Sequence, residues 1–85
     1  MPEISRFYGI FILMNFSDHH PPHFHAWYGD YKIIVNIKDG VVKGEMPGRA
    51  VKLILEWLVL HRDELMENWY RSQCGNFLEK VEPLK

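Results

Sequence analysis

Eighty-five residues with one cysteine, 47% hydrophobic and 25% charged side chains make a single globular domain (residues 1–85), small but rich enough in apolar residues to fold without staples. One cysteine excludes an intramolecular disulfide and a cysteine metal cage, which fits a reducing, cytoplasmic setting. A net charge of −1 gives no global attraction to nucleic acid or anionic lipid, and the longest apolar run, Ile10 to Met14, is far too short to span a membrane.

Phe7 to Phe16, rich in aromatic and β-branched residues on both faces, reads as a buried central strand. Ser17 to Pro22 is a connection, because Pro21-Pro22 cannot continue a helix or sit in a central ladder. His23–Tyr28 and Tyr31–Lys38 read as strands joined through Gly29-Asp30. Asp39-Gly40 signals a two-residue hairpin into a short strand, Val41–Glu45. The Gly29-Asp30 loop sets Tyr28 opposite Tyr31, Ala26 opposite Ile33 and Phe24 opposite Val35. These residues make the core face. The opposite face then carries His23, His25 and Trp27 beside Lys32, Ile34 and Asn36.

Pro47-Gly48 opens a helical segment whose stripe runs through Ala50, Val51, Ile54, Trp57, Leu58, His61, Leu65 and Trp69, and Gly75 is its C-terminal cap. It is one long helix, or two with a break near Leu60–Asp63. Leu53, Leu55, Val59, Leu60, Met66 and Tyr70 lie off the stripe, so either the helix breaks and both pieces pack, or the surplus meets a second copy or a small partner. Phe77–Leu84 reads as an edge strand or a packed arm. The fold class is α+β, with a small antiparallel sheet of three to five strands packed by the C-terminal helical segment.

Four of the five histidines fall in Asp18-His-His-Pro-Pro-His-Phe-His25. Three readings stay open for this segment. As a metal site, His23 and His25 supply two nitrogens from one strand face, with His19 or Asp18 reaching in from the loop to hold a divalent ion such as zinc. As a metal-free nuclease, the two imidazoles act as general acid and base on an RNA 2′-hydroxyl, Asp18 orients one of them, and Lys32 or Arg49 holds the phosphate. His19 and Asn36 complete the candidate binding surface. In the third reading the histidines and prolines only build a rigid loop. His61 reads as a core histidine, and Cys74, at a helix C-terminus, is disfavoured as a thiolate.

The segments Ile4-Ser-Arg-Phe-Tyr-Gly9, Asp18 to His25, Tyr28-Gly29, Trp57 to Leu65, Asn68-Trp69 and Leu78 to Leu84 resemble the bacterial domain-of-unknown-function 4160 family. In that family the His20 position is often not histidine, which favours Asp18, His19, His23 and His25. The resemblance implies a small cytosolic bacterial protein encoded beside another small domain. It further implies a component of a toxin–antitoxin-like module, RNA-directed or partner-binding through Asp18–His25. The alternatives are a metal-binding or regulatory module without catalysis, and a structural homodimer.

Overall fold

The computed structural model describes residues 1–85 as an α+β fold. Five strands follow one another as an antiparallel meander in the order β1 (Glu3–Phe7), β2 (Ile10–Leu13), β3 (His23–Tyr28), β4 (Tyr31–Asn36) and β5 (Val42–Gly44). One helix, α1 (Gly48–Gln73), crosses one face of that sheet. No helix is long and apolar enough to cross a membrane.

The continuous strand expected from Phe7 to Phe16 is instead the second half of a hairpin. Tyr8 and Gly9 both have positive φ (51° and 79°), the twisted two-residue turn that returns Ile10 opposite Phe7. A tyrosine is an unusual first residue for such a turn, so the sequence offers no Asn-Gly or Asp-Gly mark there. β2 is nonetheless internal, paired with both β1 and β3.

The register expected through Gly29-Asp30 is the one observed, from Tyr28 opposite Tyr31 to His23 opposite Asn36. The next turn is longer than expected. β4 ends at Asn36, whose N–H donates to the Val41 carbonyl at 2.9 Å, so residues 37–40 form a four-residue loop. Ile37 leaves the strand there and is fully buried in the core.

The helix covers the sheet face that carries Phe7, Ile10, Ile12, Phe24, Ala26, Ile33 and Val35. Trp57 is the centre of that contact, with its ring 5.2 Å from Phe7 and 5.7 Å, edge-on, from Phe24. Of the two forms left open for this segment, one helix or two with a break near Leu60–Asp63, the chain has one helix that kinks at His61 (φ −125°, ψ 21°). Before it, Ala50, Ile54, Trp57 and Leu58 lie in the core. Beyond it, Trp69, Ser72 and Gln73 reach the loop that precedes β3. Past Cys74, Gly75 takes a left-handed φ of 72° and lets the Asn76 N–H close back on the Arg71 carbonyl at 2.9 Å.

The C-terminal residues form a packed arm and no strand. The buried Asn68 amide donates to the Glu79 carbonyl at 2.8 Å and accepts the Glu79 N–H at 2.9 Å. Trp57 Nε1 donates to the Glu82 carbonyl, and the Val81 N–H to the Ile4 carbonyl, each at 2.8 Å. Of the apolar residues off the helical stripe, Val59, Leu60 and Tyr70 are exposed, while Leu53, Leu55 and Met66 pack partly against the core.

Candidate functional site

Strand alternation turns His23 and His25 to the sheet face that the helix leaves open, because Phe24 between them points into the core. The Ser17–Pro22 loop folds back over the start of β3 and places the Asp18 carboxylate against both rings. Two bonds to the end of α1 hold that loop: the Ser17 N–H donates to the Ser72 carbonyl at 3.1 Å, and Gln73 Nε2 donates to the Asp18 carbonyl at 3.0 Å.

His23 is buried and fixed at both nitrogens. Nδ1 lies 2.8 Å from the Pro21 carbonyl, and Nε2 lies 2.9 Å from Asp18 Oδ2. A carbonyl only accepts, so Nδ1 carries the proton there and Nε2 is directed at the carboxylate. Two groups that both hold lone pairs then face each other. Either a second proton or a cation must sit between them. An imidazole that donates one N–H to a backbone carbonyl while presenting the other nitrogen is also the usual arrangement of a metal-ligating histidine. Trp69 packs its ring 5.2 Å from His23 and 5.5 Å from His20, which orients both rings.

His25 differs. Its Nε2 is buried without any hydrogen-bond partner and stands 3.6 Å from Asp18 Oδ2, too far for a hydrogen bond. Burial pushes the His25 imidazole below its usual range, with Asp18 working in the opposite direction. The neutral ring, with a free lone pair, is therefore the favoured form at neutral pH. For Asp18, burial works to raise the carboxyl, but the His19 N–H and the imidazoles of His23 and His25 together outweigh it and hold it below its ordinary value.

The ligand atoms of Asp18, His23 and His25 all lie within 4.8 Å of one another. Donors about 2.1 Å from a common metal are separated by about 3.0 Å at right angles and 3.4 Å at the tetrahedral angle. The two separations to Asp18 Oδ2, 2.9 Å from His23 and 3.6 Å from His25, bracket those values, and the two imidazole nitrogens lie within 4.8 Å of each other. A metal held by these three side chains would keep one side open for a water or substrate atom, the pattern of reactive rather than purely structural sites. The open side is a cleft of about 230 Å³, whose rim includes Asn15, His19, His20, Asn36 and Lys43.

The residues expected at the site separate into three groups. Asp18, His23 and His25 converge. His19 stands on the other carboxylate oxygen, its Nδ1 3.1 Å from Asp18 Oδ1 and its side chain 91% exposed, so the converging set contains Asp18 in place of His19. Asn36 lines the same cleft, whereas Lys32 lies opposite Trp27 and lines the adjoining one. Arg49 is elsewhere: its guanidinium reaches the Tyr28 hydroxyl at 3.4 Å and lines a separate cleft with Tyr8, Ile10 and Leu53.

Sequence reasoning missed Asn15, Lys43 and Gln73. Asn15 Nδ2 lies 3.5 Å from Asp18 Oδ2, and carrying the register one strand further, to Ile34 opposite Lys43, would have found the lysine. Gln73 had no local signal, since it meets Asp18 across 55 positions of chain. His61 pairs its Nδ1 with Glu64 Oε1 at 2.7 Å and leans on Trp57, apart from the cleft, and Cys74 is an exposed free thiol.

Among known proteins, a family model described as a domain of unknown function (DUF4160) matches residues 9–70, which include every strand from β2 onward, the converging triad and most of α1. No curated protein and no solved structure matches the chain.

Proposed function

The chain belongs to the DUF4160 family, and from that premise we propose that it is a divalent-metal protein whose Asp18, His23 and His25 side chains form a three-ligand site with one side open to a cleft. One observation carries this reading: a buried, unpaired imidazole nitrogen on His25 faces the same carboxylate oxygen that His23 Nε2 already meets. Ser5 Oγ, Trp69 Nε1 and Arg71 Nε are also buried without partners, so what sets His25 Nε2 apart is that it stands beside a carboxylate oxygen and a second imidazole. A cation at the centre gives all three groups a partner at once. Two imidazoles and a carboxylate suit zinc, iron or manganese, and a metal there would polarise a bound water or an ester oxygen.

The metal-free acid–base reading is less well supported, because both His23 nitrogens are occupied and neither is free to exchange a proton with a substrate. The toxin–antitoxin-like role implied by the family resemblance is compatible with the metal site. If it holds, expression arrests growth and His25→Ala relieves the arrest.

Purified protein is expected to retain one divalent ion per chain by elemental analysis, with none in the His23→Ala/His25→Ala double variant. Adding the metal at a hundredfold excess over its Kd to stripped protein stabilises it by about 2.7 kcal/mol, roughly 10–20 °C in melting temperature for a domain of this size. A double variant that keeps the ion, or stripped protein whose melting temperature does not respond to Zn²⁺, Fe²⁺ or Mn²⁺, overturns the proposal.

A further inference from the structure

The open face of the sheet continues beyond the triad. Cross-strand pairing sets Arg6 beside Phe11, Phe11 beside Trp27 and Trp27 beside Lys32, one row across four strands. The adjacent row runs Leu13, His25, Ile34, Lys43 and so contains a triad residue. Between the rows lies an open cleft of about 500 Å³ bordered by His25, Trp27, Lys32, Ile34 and Lys43, with no carboxylate in its lining. It shares His25, Ile34 and Lys43 with the triad cleft, so the two form one continuous surface.

We propose that this face binds single-stranded nucleic acid, with successive bases against Trp27 and Phe11 and the phosphates on Lys32 and Lys43, so that the strand passes the Asp18–His23–His25 centre.

Three observations carry the assignment. First, the two rings sit on neighbouring strands, about 5 Å apart in backbone spacing. Successive bases rise 3.4 Å along a stacked strand, so a modestly extended strand brings consecutive bases to the two rings. Secondly, the cations are placed for phosphates: Lys32 and Lys43 are exposed and form no ion pair, while the Arg6 charge is held by Glu3 at 2.7 Å. Thirdly, a flexible cation covers the Trp27 ring in the free protein, Lys32 Nζ at 4.6 Å, while the Phe11 ring lies 4.2 Å under the Arg6 guanidinium, which Glu3 holds and a base would have to displace. A base displaces the Lys32 ammonium from the indole, and the ammonium then turns to the phosphate. Sheet faces that join aromatic platforms to basic groups hold single strands in this way. A free nucleotide would engage one ring and one lysine, and half of the row would have no role.

The proposal takes its meaning for the metal site from the proposed function above, but strand binding is tested apart from it. Fluorescence anisotropy of labelled eight-nucleotide RNA and DNA is followed with full-length protein in about 20 mM salt, once with chelator and once with Mn²⁺. Binding is expected in both, weakening as salt rises. Lys32→Glu/Lys43→Glu should weaken it by about tenfold or more, and Trp27→Ala by about tenfold. The lysine variant changes only exposed side chains, so it stays folded even if Trp27→Ala does not. A mononucleotide that binds as tightly as the octamer overturns the strand assignment. So does the absence of octamer binding at 50 μM protein (about the weaker end of non-specific affinities), or binding that survives the lysine reversal. Metal stoichiometry and octamer binding in the unsubstituted protein separate the two readings: an ion retained without strand binding defeats only this inference, and strand binding without any ion defeats only the metal site. In the lysine variant the ion should stay while strand binding is lost.

Discussion

Phe24 and His25 are neighbours on one strand, yet they belong to different regimes of the molecule. Phe24 points into the helix-covered face, fully buried against Trp57 among aliphatic side chains. His25 points to the open face, 17% exposed at the side chain, and its Nε2 lacks a partner. The covered face gains its free energy chiefly from apolar area removed from water, and the few polar groups buried beside it, such as Ser5, Asn68 and Ser72, are outnumbered by aliphatic and aromatic side chains. The open face keeps polar groups close together without satisfying all of them, which costs stability and leaves capacity for a ligand. Apolar packing and the candidate site are divided between the two sides of a single sheet.

The sharpest way to break that comparison is to truncate both neighbours. Phe24→Ala should cost about 3–5 kcal/mol, a large part of the total of roughly 4–13 kcal/mol expected for a domain this size. In urea denaturation the midpoint should fall steeply or the variant should be unfolded outright. His25→Ala in the same assay should cost much less, because its Nε2 makes no bond to lose, while metal binding disappears. Equal losses would mean that His25 is structural and that the two faces are not divided.

A smaller effect is expected at Asn68, which ties the C-terminal arm to the helix through two bonds to Glu79. Asn68→Ala should cost about 1–3 kcal/mol and expose the arm to protease between residues 77 and 84. Unchanged cleavage would place the arm's anchorage in Val81 and Trp57 instead.

The smallest effect is a slope with pH, seen in protein kept metal-free by chelator. His25 has its proton affinity lowered by burial, so the native state resists protonation while the unfolded chain takes up a proton below its ordinary value near 6.5. Stability should therefore be full above that pH and decline as pH falls towards the lowered native value, below which this contribution is constant. Asp18 acts at lower pH: its contribution is present above its ordinary value of 3.8 and is lost as pH falls through the depressed native one. In His25→Gln the decline beginning near pH 6.5 should shrink. An undiminished decline would assign it to other histidines.

Much of the site was legible because β3 and β4 are joined by a two-residue turn, which fixes register by arithmetic. That register puts His23, His25, Trp27 and Lys32 on one face by residue alternation alone. The α+β class was legible from apolar periodicity, whereas the choice between one long helix and two was not, because the apolar residues off the main stripe fit either form; the chain has one helix with a kink at His61. The first hairpin was not, because Tyr8-Gly9 carries no familiar turn mark and apolar residues run through it on both sides. The choice of Asp18 over His19 was hidden as well. Adjacent loop residues differ in direction through backbone dihedrals and long-range clamps, and Gln73 acts on Asp18 from the other end of the chain.

That clamp has a consequence for how the protein comes into being. All three triad residues are made in the first third of the chain, whereas the groups that hold the Asp18 loop, the Ser72 carbonyl and the Gln73 amide, are made near its end. During synthesis the triad side chains leave the ribosome well before the clamp that fixes the Asp18 loop. A nascent chain halted at residue 60 would contain the whole triad without the means to aim Asp18, so the triad's geometry is set as one late event after most of the polypeptide has been made.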